Sequence, residues 1–322
     1  MIEYREFRNS DPPALVEIWR QANPQLAQQM TVSLLEDLVL SKPYFDRAGL
    51  LVACEDGKPV AFGHAGFGPS ADHASLAYEV GVISLIVVRP THRGQGIGRE
   101  LAARLEDYLA VRGARTIYAG GVRPLDPFYT GLYGGLELPG VLESDAAACK
   151  MFESRGFRVV DHLRRLRCDL STFRPVVDRE QLQIRRNYQV RSLIDPPPSD
   201  WWVACTFGEF HRIRCELEPR GGGSSVASAV LWSADPITWQ PGERSVGLVD
   251  VHVAPPLRRK GLATFLLGEA LRQVQQHGFN AAEGQVLEND EAAGEMLKRL
   301  GFKEIGRGAV YRKEVPVSAA AP

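Results

Sequence analysis

The 322-residue sequence lacks most of what would tie a chain to a membrane, a metal or a polyanion. No run reaches the ~18–20 apolar residues that span a bilayer. The opening residues Met1-Ile2-Glu3-Tyr4-Arg5-Glu6 have no apolar core of the kind a signal peptide needs. Cysteines are few and odd in number (Cys54, Cys149, Cys168, Cys205, Cys215) and form no Cys-x-x-Cys pair. Each reads as a small buried or half-buried thiol rather than a disulfide partner or a ligand. The seven histidines show no His-x-x-x-His spacing. Net charge is nearly absent, with 38 Lys plus Arg against 39 Asp plus Glu. Broad binding to nucleic acid or to an anionic membrane rests on uncompensated cations, so neither is expected. A small phosphate site is still open, because backbone N–H groups alone can build one. These absences lead us to expect a cytoplasmic protein without a metal.

What the chain does have is a repeat. At 44% hydrophobic and 24% charged it can bury a core, and its length suits two domains. Gly81–Pro90, an apolar strand ending in Val88-Arg-Pro90, leads into Thr-His-Arg93-Gly-Gln-Gly96-Ile-Gly98 and then an amphipathic helix. Gly247–Pro255 ends in Val253-Ala-Pro255 and leads through Pro-Leu-Arg258-Arg-Lys-Gly261-Leu-Ala263 into a second such helix. Each copy continues into a short strand (Thr116–Ala119; Gly284–Leu287) and a helix that stops at Gly-Phe, Gly156-Phe157 and Gly301-Phe302. Glycine suits that stop because the C′ position takes positive φ. A duplicated α/β unit follows.

The copies differ in what surrounds the common core. Arg93 to Gly156 is 63 positions and Arg258 to Gly301 is 43, so the first copy carries a 20-residue insertion. The insertion includes Pro127–Gly135 and Leu138-Pro-Gly140. Two helical patterns, 12–21 and 31–40, precede the first sheet, whereas the second has only 200–210. Boundaries are expected at 1–172 for the first domain, 173–199 for a linker with the first strand of the second unit, and 200–315 for the second domain. A tail at 316–322 is expected to be disordered.

The two loops carry the chemistry. Glycines let backbone approach a ligand, and the first N–H groups of a helix have no intrahelical acceptor, so each loop makes an anion cradle aided by the helix dipole. A dinucleotide fold needs Gly-x-Gly-x-x-Gly and an acid ending the next strand, and Thr116-Ile-Tyr-Ala119 has no acid. A P-loop needs Gly-Lys-[Ser/Thr], which neither loop contains.

Arg93-Gly-Gln-Gly-Ile-Gly98 and Arg258-Arg-Lys-Gly-Leu-Ala263 both fit the Arg/Gln-x-x-Gly-x-Gly/Ala signature of the GCN5-related N-acetyltransferases (GNAT). With the Val-x-Pro strand ends and the Gly-Phe closures, the chain resembles a tandem of two such domains, an arrangement similar to that of mycothiol synthase. The resemblance implies an α/β (α+β) fold in which each unit is a mixed, mostly antiparallel twisted sheet flanked by helices. It implies an acetyl-CoA-dependent N-acetyltransferase, acting by direct attack of a primary amine of a small molecule or protein on the thioester. The alternative is a non-catalytic acyl-CoA-binding or scaffold protein. Expected partners are the amine alone, with the chain a monomer or homodimer. Acetyl-CoA would then lie on Arg93, Gly94, Gln95, Gly96, Ile97, Gly98 and Arg99, with its pantetheine arm along Ile86, Val87 and Val88. A backbone N–H near Ile86 or Val87 would polarise the thioester carbonyl. The equivalent positions are Val251, Val253, Arg258, Arg259, Lys260, Gly261, Leu262 and Ala263.

The sequence departs from the family where proton transfer is usually placed. Family members often carry a Tyr four residues before the Gly of Gly-Phe; here Phe152 and Leu297 occupy that slot. Some carry a Glu on the strand before the loop, where Val82 and Gly247 stand. Candidate substitutes are Tyr129 and Tyr133 of the insertion, with Glu143 or Asp145 near, and Glu79 acting through a water. Tyrosines in a Gly-rich loop can equally be packing residues. Asp250 and His252 alternate on one strand face, as base and orienter or as a structural pair. The fuller set of elements around the first copy points to it as the catalytic half, although the likeness to mycothiol synthase implies the second.

Overall fold

The computed structural model describes residues 1–23, 30–131, 137–233 and 242–315. The first half runs β1 (Ile2–Glu6), α1 (Pro12–Ala22), α2 (Val32–Leu35), β2 (Leu50–Glu55), β3 (Lys58–Pro69), β4 (Leu76–Val88), α3 (Ile97–Val111), β5 (Thr116–Ala119), β6 (Val141–Leu142), α4 (Ala146–Ser154) and β7 (Arg158–Asp169). The second runs α5 (Arg179–Asn187), β8 (Tyr188–Ile194), α6 (Trp201–Phe207), β9 (Arg212–Pro219), β10 (Ala227–Ser233), β11 (Ser245–Val253), α7 (Leu262–Gln276), β12 (Ala281–Leu287), α8 (Glu291–Arg299) and β13 (Lys303–Glu314). The expected tail at 316–322 lies outside the described residues.

All strands join one sheet in the order β1-β2-β3-β4-β5-β13-β7-β12-β11-β10-β9-β8, with β6 on β13. Pairing is antiparallel except at β4–β5 and β11–β12, where a helix crosses over. Each unit is therefore the mixed, mostly antiparallel sheet that the resemblance implies. The final strands are exchanged. β13, from the second half, lies against β5 of the first, while β7, from the first half, lies against β12 of the second.

Local sequence explains the elements. Val82–Leu85 is buried at every position, apolar except for Ser84, because both faces of β4 are covered there. In α3 Leu101, Leu105 and Leu109 are fully buried at helical spacing, and in α7 Leu266, Leu267 and Leu271 are. Burying each such side chain is worth ~1.5–3 kcal/mol. The glycines that end α4 and α8, Gly156 (φ 84) and Gly301 (φ 88), have the left-handed backbone expected of them. The second helical pattern is less regular than its periodicity suggests, since α2 gives way to a π-helical turn over Glu36–Leu40.

The halves dock through side chains as well as strands. Buried Lys42 donates to the Cys205 carbonyl at 2.8 Å and to Glu209 at 2.9 Å. Tyr44 stacks on Trp202 with ring centroids 5.0 Å apart, and its hydroxyl donates to the Pro127 carbonyl at 2.8 Å. Phe207, Phe210 and Trp232 of the second half join the core formed by α1, α2 and the first sheet. No helix among the described residues is long and apolar enough to cross a membrane.

Candidate active site: two clefts at parting strands

In the first half β4 and β5 pair from Val80–Thr116 to Ile83–Ala119, after which Gly120 N donates to Ile83 O at 2.9 Å. Beyond that point β4 continues to Val88 while its pairing with β5 has ended, so one edge of 84–88 offers free backbone groups. Ser84 is a bulge, because Leu85 faces His64 and Ile83 faces Ala65. A bulge re-aims the backbone N–H groups beside it. The Ser84 hydroxyl is buried, has no hydrogen-bond partner among the described residues, and lines a cavity of about 40 Å³ with Gly120, Gly140, Asp145, Met151 and Phe152. Arg93 Nε donates to Val88 O at 3.3 Å and ties the loop to the strand. Gly94 (φ 76) and Gly96 (φ 81) then turn the chain into α3, with open space on the side where a Cβ would stand.

The second half repeats this construction. β11 and β12 pair only from Ser245–Ala281 to Gly247–Glu283, and the bulge recurs between Leu248 and Val251. Arg258 Nε donates to Val253 O at 3.1 Å. Arg259 has φ 62 where the first copy has glycine, a conformation that costs ~1–2 kcal/mol in a residue with a Cβ. Gly261 (φ 68) starts α7. Between the N-terminus of α7, the free edge of β11 and α8 lies a cavity of about 870 Å³, whose walls include His252, Val253, Arg258, Ala263, Met296 and Lys298. That volume suits a coenzyme-sized ligand. Glu180, Asp290 and Glu295 are acidic groups on its walls, and a Cβ on Gly261 would come within 2.9 Å of the Glu180 carboxylate on α5.

Of the described residues expected to move protons, Asp145 lines the cavity beside Ser84 and His252 the second cleft, and the others fall outside both. Tyr133 lies outside the described residues. Tyr129 is fully buried in the core, its ring stacked on Trp19 at 6.3 Å and its hydroxyl 3.0 Å from His64 Nδ1. Burial pushes the His64 imidazole down to about 3, so it is neutral. Glu79 is exposed near the start of β4, five residues before the Ser84 bulge and ~16 Å along the strand. Glu143 bonds His162 at 2.8 Å, and Asp145 caps α4 through the Ala148 N–H. Asp250 is held by Arg123 at 3.2 Å rather than by His252, so the Asp-x-His pair does not form.

Instead, the insertion of the first half delivers charge to the cleft of the second. Arg123 lies 3.6 Å from Glu137 while it holds Asp250 of β11, and its guanidinium lies 5.5 Å from the Phe207 ring and 5.6 Å from the Trp232 ring. Glu137 lines a gap of about 20 Å³, where β11 and β12 part, together with Arg165, Gly247, Glu283, Gly284 and Gln285. Burial pushes its carboxyl up to about 8, Asp126 and Asp250 add to the rise, and Arg123 opposes it. Asp126 is fully buried with both carboxylate oxygens unpartnered among the described residues, and burial raises it to about 7. Arg165 is half-buried, without a hydrogen bond or ion pair among the described residues; desolvation lowers its pKa and nearby Glu283 opposes that. Glu137 had one sequence signal, its place beside Leu138-Pro-Gly140 in the insertion, but nothing local says which cleft it reaches. Among the described residues no group of three or more His, Cys, Asp or Glu side chains is placed to hold a metal.

The acetyltransferase (GNAT) family model matches residues 12–134 and 182–302. A GCN5-related N-acetyltransferase from Sphaerobacter thermophilus superposes with TM-score 0.68 at 17% identity, covering 97% of this chain and 95% of its own. A tandem GNAT protein from the clavulanic acid biosynthesis pathway does so with TM-score 0.65 at 15% identity, covering 98% of each. The glucosamine N-acetyltransferase region of a fungal multi-domain β-N-acetylglucosaminidase gives TM-score 0.69 at 18% identity, over 97% of this chain and 38% of that one. Likeness at such identities establishes the fold. A comparison with curated proteins finds no match.

Proposed function

Since the chain belongs to the acetyltransferase (GNAT) family, we propose that it transfers the acetyl group of acetyl-CoA to a primary amine, and that the second cleft does this work. The observation that carries the choice of cleft is the cavity of about 870 Å³ that opens beside the α7 N-terminus and takes in the cradle residues Arg258, Gly261, Leu262 and Ala263. In this reading the pyrophosphate lies on the N–H groups opening α7 at Gly261–Ala263, with Arg258 and Arg259 at hand. The pantetheine arm adds to the free edge at Val251–Val253, as a peptide adds to a sheet edge. A backbone N–H of the bulge beside Asp250 and Val251 meets the thioester oxygen. Attack of the neutral amine forms the N–C bond and puts negative charge on that oxygen. A fixed donor aimed there is worth ~3–4 kcal/mol. Collapse breaks the C–S bond, the nitrogen gives up a proton, and the thiolate takes one from solvent. Holding amine and thioester together supplies much of the remaining acceleration.

Gly96→Glu and Gly261→Glu test the choice, since each puts a carboxylate into one cradle. Gly261→Glu is expected to abolish turnover, with Gly96→Glu retaining it; the reverse outcome returns catalysis to the first half. A second reading, a binding protein without turnover, is favoured by Phe152 and Leu297 in the usual tyrosine slots. Thermal stabilisation by CoA, with no thiol released across a panel of amines, would select it.

A further inference from the structure

The gap where β11 and β12 part is lined by residues that the first half brings to it. Along β7, Leu166 and Cys168 enter the core under α7, so Arg165 and Arg167 project from the opposite face. On β12, Gln285 stands opposite Arg165 and Glu283 opposite Arg167. Glu137 reaches the same gap from the insertion, held there as Gln285 Nε2 donates to the neighbouring Leu138 carbonyl at 3.1 Å. One guanidinium, that of Arg123, spans Glu137 and the bulge residue Asp250. The gap has room for about one water, the space that a reacting nitrogen or a proton-relaying water needs.

We propose that Glu137 and Arg165 form the acceptor subsite of this cleft, Glu137 taking the proton of the attacking amine and Arg165 receiving a carboxylate on the same molecule. The acceptor class is thus an amine that also bears a carboxylate, as an amino acid does. The inference rests on the reading that acetyl transfer occurs in the second cleft. A half-buried guanidinium with no hydrogen bond or ion pair among the described residues is desolvated at a cost that an anionic ligand offsets, and a planar carboxylate matches its fork of donors. A carboxyl raised by burial and by Asp126 and Asp250, against the pull of Arg123, is matched to accept a proton near neutral pH. Balance is simple: N–C forms, C–S breaks, and one proton passes from nitrogen to the Glu137 carboxylate and on to solvent.

The experiment measures kcat and KM for the common amino acids and for the matched amines without the carboxylate, with acetyl-CoA as donor. At least one amino acid is expected to exceed its matched amine tenfold or more in kcat/KM. Arg165→Gln should raise KM tenfold or more for that amino acid and change it less than twofold for the amine. Glu137→Gln should lower kcat at least a hundredfold and remove the acidic limb of the pH profile, with acetyl-CoA affinity unchanged, and Glu137→Asp should restore part of the rate. Turnover of amines alone, equal losses on both acceptors in Arg165→Gln, or no turnover of any panel member would overturn the proposal. Turnover that survives Gly261→Glu but not Gly96→Glu would instead sink the choice of cleft on which it rests.

Discussion

Tyr311, on the last strand of the second half, stands opposite Ala119 on β5 of the first. Its hydroxyl donates to Glu153 on α4 at 3.1 Å, and its ring centroid lies 6.1 Å from that of Phe152. The first half therefore has its sheet completed, and its terminal helix seated, by a strand at the far end of the chain. We predict that a chain ended after Phe302 loses cooperative unfolding in both halves, because β13 separates β5 from β7. A fragment of residues 1–172 should likewise give no cooperative thermal melt by circular dichroism. A sharp monomeric melt of that fragment would show that the exchange is not needed for folding.

The Glu180 carboxylate beside Gly261 opposes an anion at the same helix N-terminus. Glu180 also lies 3.8 Å from Arg299, an exposed pair of little energetic worth. Glu180→Gln should therefore tighten acetyl-CoA binding roughly threefold to tenfold at low salt, less at high salt, as read by calorimetry. Unchanged or weaker binding would place the pyrophosphate elsewhere.

Buried Asp126 makes the stability of the fold depend on pH. Burial raises its carboxyl from 3.8 to about 7, so across that window the folded chain holds a proton that the unfolded chain has lost. Wild-type stability should fall as pH rises through the window. Asp126→Asn cannot ionise and should be more stable than wild type at pH 8 by on the order of 2 kcal/mol, with the difference shrinking at pH 5. Urea unfolding at the two pH values checks it; an equal difference at both would contradict the buried-acid account.

The duplication, the two cradles and the glycine stops were legible because each is fixed by local chemistry: a positive φ at Gly96 and Gly261, an apolar run buried on both faces, leucines at helical spacing. The exchange of β7 and β13 was not legible. Both are twelve-residue strands following Gly-Phe, and nothing in a strand's own sequence says which of two equivalent edges it joins. The burial of Tyr129 was not legible for a related reason. Tyr129 reads as a candidate hydroxyl in a Gly-rich loop, yet Trp19 and His64 enclose it. Glu137 sits in that same insertion without a motif, and only the docking of the halves aims it at β12.

The central claim is that acetyl-CoA occupies the second cleft, and amide hydrogen exchange with and without the coenzyme tests it most directly. The account predicts slowed exchange in peptides spanning Val251–Val253 and Gly261–Ala263, where strand edge and helix N–H groups would gain acceptors. Protection confined to Ile86–Val88 and Gly96–Gly98 would contradict it and place the coenzyme in the first half.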